Sequence, residues 1–235
     1  MTYEEVMSEL EAMADERTKR TYLNHGAKEP LFGVKIGDLK KLAKAVKKDQ
    51  ELAVRLFDSG NSDAMYLAGL SVDPKRTTKE QLARWVRAAN WYMLAESTVA
   101  WVAAESPFAL ELARDWIEAE EELAAAAGWS VYASYVSIAP DEALPMDELA
   151  GLLTRVRSSI HEERNRVRYA MNGYVIAVGC YVPALHREAG LAAETIGKVD
   201  VNVGNTACKV PLATEYIEKV ANMGRVGQKR KTCIC

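Results

Sequence analysis

The chain breaks into short helical segments at regular intervals, and this pattern limits its fold more than any other feature. Breakers stand at Gly26, Gly60-Asn61, Asp73-Pro74, Ser106-Pro107, Pro140, Pro145 and Pro183. Between them apolar residues recur at helical spacing, as at Ile36, Leu39, Leu42, Ala43 and Val46, with lysines on the opposite side. Helices are predicted near 50–58, 62–72, 78–88, 91–104, 107–120, 122–138, 146–158, 162–181 and 184–196. Thr2 and Glu5 form a capping box before a first helix, and Asp15 starts a second. The helices pair with a pitch of roughly 35–45 residues, the size of HEAT or armadillo units. The expected fold is therefore all-α, a right-handed solenoid of HEAT-like (ARM-like) repeats, with residues 1–224 as a single domain. Gly69, Gly128, Gly173 and Gly179 fall inside helices, where each costs about 1 kcal/mol relative to Ala. Close helix crossings would offset that cost.

Of 235 residues, 49% are hydrophobic, enough for a large core. Two uncharged runs, Leu123 to Pro140 and Tyr169 to His186, approach membrane-span length. They are rich in Ala, Ser, Gly and Tyr, so they read as buried central helices. No basic segment precedes an apolar stretch, and no signal peptide is expected. Cys180, Cys208, Cys233 and Cys235 lack zinc-type spacing, and three histidines are present. That favours a reduced, cytoplasmic protein with no metal and no cofactor. No P-loop, Rossmann fingerprint or GxSxG occurs.

The net charge is −3, but its distribution is uneven. Residues 91–150 carry twelve acidic side chains and one basic one, Arg114. Residues 151–235 carry thirteen basic and seven acidic. Basic residues cluster at Lys35, Lys40, Lys41, Lys44, Lys47 and Lys48, at Arg155, Arg157, Arg164, Arg166 and Arg168, and at Arg225, Lys229, Arg230 and Lys231. A polyanion could bind one face while the acidic middle faces away. The alternative is a set of solvated helix faces, with part of the Arg164 to Arg168 run paired to Glu162 and Glu163.

One segment departs from helical periodicity. Lys198 to Val203 alternates apolar and polar residues, and Gly204-Asn205 follows, then Thr206 to Val210. This predicts an inserted β-hairpin, with an irregular loop as the alternative. A last helix is expected from Pro211 to about Met223, followed by a flexible basic tail, 225–235.

The segment His25-Gly26-Ala27-Lys28-Glu29-Pro30-Leu31-Phe32-Gly33-Val34, the helix after it, and the aromatic window Asn90 to Glu96 resemble the HEAT-like repeat DNA glycosylases (AlkD-type DNA alkylation repair proteins). That resemblance implies a concave basic surface that cups duplex DNA. It also implies a carboxylate that stabilises the cationic sugar as an alkylated base departs. Trp91 and Tyr92 match two tryptophans of that family, Met93 replaces an acid, and Glu96 takes the place of the catalytic aspartate. Ala126 falls where the family has a phosphate-holding arginine, and Gly173-Tyr174 where it has a later tryptophan. With the segment 198–210, these departures point to the non-glycosylase, AlkF-like branch, reported to favour branched DNA and to carry an extra β-hairpin.

The expected function is therefore binding of the phosphate backbone of branched or distorted DNA without efficient base excision. The DNA contacts would come from Lys35, Lys40, Lys44, Lys47, Trp91, Tyr92, Arg164, Arg168, Lys198, Lys209, Lys229, Arg230 and Lys231. Glu96 is the candidate catalytic residue should the chain be an enzyme. An alkylpurine DNA glycosylase and a protein–protein scaffold are the alternatives. DNA is the expected partner, with no membrane and a monomeric state; in a bacterium the protein would associate with the nucleoid.

Overall fold

The computed structural model describes residues 1–46 and 49–234. Lys47, predicted as a DNA contact, lies outside these residues. The described chain is helical, with no β-strand among the described residues. Its helices are α1 (Tyr3–Ala12), α2 (Glu16–Asn24), α3 (Ile36–Val46), α4 (Gln50–Asp58), α5 (Ser62–Ser71) and α6 (Lys79–Ala88). A π-helical segment (Leu94–Val99) runs into α7 (Ala100–Glu105). Then come α8 (Ala109–Ile117), α9 (Glu122–Ile138), α10 (Met146–Ser159), α11 (Asn165–Tyr181), α12 (His186–Ile196) and α13 (Ala213–Asn222).

Local signals set the helix starts. Thr2 and Glu5 make the reciprocal capping box on α1, and Asp15 accepts the Thr18 N–H at 2.7 Å on α2. Asp49, Asn61 and Thr78 cap α4, α5 and α6 in the same way.

Helices α9 and α11 form the spine. Each packs on the other, α9 also on α7 and α8, and α11 on α12 and α13. Ala124 to Trp129 are all buried, as are Tyr174, Val175 and Ala177 to Cys180. A helix that is apolar on every side must be surrounded by protein, which explains the two uncharged runs. No helix among the described residues is long and apolar enough to cross a membrane.

Small residues permit these crossings. A Cβ on Gly128 would lie 2.5 Å from the backbone N of Ile117, so α9 meets α8 there at backbone distance. Gly69 and Gly179 are similarly crowded, by Thr98 and Ile217. A Cβ on Gly173 would meet nothing within 4 Å, so crossing does not explain that glycine.

The Phe32-Gly33-Val34 loop is fixed by one buried carboxylate. Asp63, at the start of α5, accepts the N–H groups of Phe32, Gly33 and Val34 at 2.6, 3.0 and 2.8 Å. Burial pushes the Asp63 carboxyl up from its usual range, and the three donors pull it back. Gly33 has φ +82°, and an added Cβ would stand 2.5 Å from the Lys19 backbone N.

Two expectations are corrected. The predicted hairpin at 198–210 is an irregular segment. Both backbone groups of Asn202 are taken by one side chain: Asn165 Nδ2 donates to its carbonyl at 2.9 Å and Asn165 Oδ1 accepts its N–H at 2.7 Å. The Gly204 N–H donates to Asn202 Oδ1 and the Thr206 hydroxyl to the Val203 carbonyl. Side chains thus hold the groups that a strand ladder would need. The tail is not a loose extension either. Lys229 Nζ donates to the carbonyls of Val136 and Tyr181 at 2.9 and 2.8 Å and pairs with Asp141 at 2.9 Å. These carbonyls lie in the last turns of α9 and α11, where unpartnered oxygens attract a cation. Farther on, Cys233 is buried and its N–H donates to Glu105 Oε1 at 2.8 Å.

Candidate functional site

A cleft of about 330 Å³ opens between the C-terminal end of α2, the residues leading into the π-helical segment, the start of α11 and the segment after α12. Leu23, His25, Tyr92, Arg166, Tyr169 and Lys209 line it, with Asn165, Asn202 and Cys208. No acid is among its lining residues.

Glu96 lies beneath this cleft on the π-helical segment. Arg166 holds it in a fork: Nε donates to Oε1 at 2.7 Å and Nη2 to Oε2 at 2.6 Å. The side chains of Arg166 and Glu96 are 12% and 8% exposed. The guanidinium carbon sits 4.0 Å from the Tyr92 ring centroid and 4.4 Å from that of Tyr169. Such desolvated cation–π contacts are worth about 2 kcal/mol. Burial pushes the Glu96 carboxyl up, and the charge and hydrogen bonds of Arg166 act against that. With both oxygens engaged, the carboxylate has no free edge to meet a cationic sugar.

The wall above is fastened at both sides. His25 Nδ1 shares a hydrogen bond with the Tyr92 hydroxyl at 2.9 Å, and Trp91 Nε1 donates to the His25 carbonyl at 2.8 Å. The segment around Asn202 is clamped to Asn165 as described, and a Cβ on Gly204 would stand 2.9 Å from the Asn24 carbonyl oxygen. The segment therefore straps the cleft from α11 to α2.

The structure disperses the predicted contacts. Tyr92, Glu96 and Lys209 come together at or beneath the cleft. Trp91 is 4% exposed and packs against Tyr22, which makes it a wall of the core rather than a surface platform. Arg164 donates to the carbonyls of Ala119 and Glu120. Arg168 Nε is buried without a hydrogen-bond partner. Lys198 is exposed and pairs with Asp200, and Lys35 pairs with Asp15. Lys40 and Lys44 line a separate groove with Thr232 and Ile234. Lys229 is committed to the helix ends, while Arg230 and Lys231 are exposed. Much of the acidic middle is self-paired, as in Arg114–Glu148, Arg155–Glu118 and Lys79–Glu111.

Sequence reading missed the pairing of Arg166 with Glu96, and it missed His25 and Tyr169. One signal was available. Tyr169 follows Arg166 by three residues on a helix, which places ring and guanidinium on one face.

A sequence profile for DNA alkylation repair enzymes matches residues 6–194. The chain belongs to this family. It is 40% identical to uncharacterised proteins of Listeria monocytogenes and Listeria innocua, over 94% of this chain and 98% of each relative. A solved structure matches with a TM-score of 0.92 and 39% identity, covering 100% of both chains. That protein is described as one of a new family related to the HEAT-like repeat DNA glycosylases with affinity for branched DNA structures. The fold is thus that of a HEAT-like repeat protein. The acid of this site is sealed beneath the cleft by Arg166. Ala126 is fully buried in α9, and Tyr174 turns inward to donate its hydroxyl to the Leu149 carbonyl at 2.8 Å. Neither supplies a clamp or a wall to the cleft.

Proposed function

We propose that this protein binds DNA through backbone phosphates, prefers branched or distorted DNA to continuous duplex, and does not excise bases efficiently. One observation supports this reading above the rest: the acid at the glycosylase position is locked in a buried fork with Arg166, while the open cleft lining carries a lysine and no acid. Glycosidic cleavage develops cationic charge that needs a free carboxylate. A locked one leaves a surface suited to holding anions. The affinity for branched DNA described for the structural relative agrees with this reading. Lys35, Lys40, Lys44, Arg168, Lys198, Lys209, Arg230 and Lys231 are the proposed contacts. We further propose that the repeats wind as one right-handed solenoid and that the protein acts as a cytoplasmic monomer.

The test compares four-way junction, forked and duplex DNA by fluorescence anisotropy at several salt concentrations, beside an assay for free base from methylated DNA. Tighter binding to the branched forms, with no released base, is expected. Base release that is lost in Glu96→Gln would establish the enzyme instead.

A further inference from the structure

We infer that the cleft is a phosphate site for an unpaired DNA strand, with Arg166, Lys209, His25 and Tyr169 as its donors; this rests on the DNA-binding reading above.

Arg166 spends only part of its fork on Glu96. Nε and Nη2 are engaged, and Nη1 has no hydrogen-bond partner among the described residues although Arg166 lines the cleft. Lys209 lines the same cleft, is exposed, and forms no ion pair among the described residues. The Tyr169 hydroxyl and His25 Nε2 are likewise without partners. When Tyr92 donates its hydroxyl proton to Nδ1, the ring proton of His25 sits on Nε2, so the imidazole is also a donor. Asn165 and Arg166 are the first two residues of α11, so the positive end of its dipole lies at the cleft. The unpaired ammonium of Lys209, the free N–H edge of a guanidinium whose charge is shared with Glu96 beneath, two neutral donors and no lining carboxylate make a site for a tetrahedral anion. A guanidinium held by a carboxylate and two rings is already oriented, so little side-chain entropy is lost on binding.

The strap decides which phosphate can enter. With Asn202 fixed to Asn165 and Gly204 packed on Asn24, it crosses the cleft between its two walls. A cleft of about 330 Å³ bridged in this way has room for a phosphate and its sugar on a single strand or a strand end, and none for a continuous duplex. Unpaired strands are what a branch point supplies.

The experiment measures binding of forked DNA whose free strands end in a 5′-phosphate or a 5′-hydroxyl, using the wild type, Lys209→Ala, Tyr169→Phe and, as a control, Arg157→Ala, an exposed residue of a separate groove between α10 and α12. We expect the phosphorylated fork to bind about tenfold more tightly, on the scale of one charge-assisted hydrogen bond. Lys209→Ala and Tyr169→Phe should both reduce that preference, and Arg157→Ala should leave it. If the two cleft variants weaken both forks equally, the phosphate lies within the strand rather than at its end. If Tyr169→Phe is silent and Lys209→Ala does no more than Arg157→Ala, the proposal is overturned. A wild type that binds no forked DNA would sink the DNA reading separately. Titration with inorganic phosphate, followed by the His25 ring resonances, then decides the cleft by itself: saturable shifts support it, and none overturn it.

Discussion

The guanidinium of Arg166 holds both carboxylate oxygens of Glu96, at 2.7 and 2.6 Å, across 70 residues of sequence. The pair ties α11 to the π-helical segment and occupies both oxygens of Glu96. Breaking a buried pair strands one charge and typically costs about 3–5 kcal/mol, whereas replacing both members with apolar residues is often nearly neutral. Arg166→Met should therefore lower stability by roughly 3 kcal/mol, and Glu96→Leu combined with Arg166→Met should recover most of it. Urea unfolding of the wild type, the two single variants and the double variant measures this; additive losses would show that the two residues are not coupled.

The loop at Phe32 to Val34 should depend on Asp63. Asp63→Ala leaves three N–H groups without their acceptor, two of them on buried residues, and about 3 kcal/mol or more of destabilisation is expected. Gly33→Ala should also destabilise, because its left-handed backbone and the nearby Lys19 backbone both resist a side chain. A melting temperature unchanged by either substitution would contradict the geometry.

Acid should weaken the start of α2. Hydrogen bonding to the Thr18 N–H lowers the Asp15 carboxyl from 3.8 to about 2. A folded value below the unfolded one means stability that is present above about pH 4 and is lost as pH falls towards 2. Asp15→Asn keeps a capping oxygen without the titration, so its stability should change less between pH 5 and pH 2.5. The comparison is of denaturant midpoints at both pH values; parallel shifts in the two proteins would refute the assignment.

Thiol reactivity should separate the cysteines. Cys208 is exposed, whereas Cys180 and Cys233 are buried and burial raises both thiols, Cys180 to about 11. Brief treatment with iodoacetamide and peptide mapping should find Cys208 labelled and the other two protected until the protein is unfolded. Early labelling of Cys233 would mean that the chain end opens readily.

DNA binding should weaken with salt at a slope near −0.9 per phosphate neutralised, or about −4 to −5 for roughly four to six contacts. A flat dependence between 50 and 200 mM salt would argue against backbone recognition.

The helices were legible in the sequence because their caps and breakers act locally. The box at Thr2 and Glu5 and the cap at Asp15 each express a constraint within reach of a few residues. The segment after α12 was misread for the opposite reason. Val199, Val201 and Val203 do alternate with polar residues, but the partner of Asn202 is Asn165, 37 residues away. Lys229 resembled any lysine in a basic tail until the ends of two helices met around it. The pairing of Glu96 with Arg166 was hidden in the same way, since each had nearer charges with which to pair.

The tail has a consequence for the molecule as a whole. Stacked repeats touch only their neighbours, so such proteins ordinarily fray from an end, one unit at a time. Here residues 227–234 return to α7, α9 and α11, with Thr232 and Ile234 beside Lys40 and Lys44 of α3. Residues 227–234 thus run as a drawstring through several repeats, and early and late units should be released together rather than in turn.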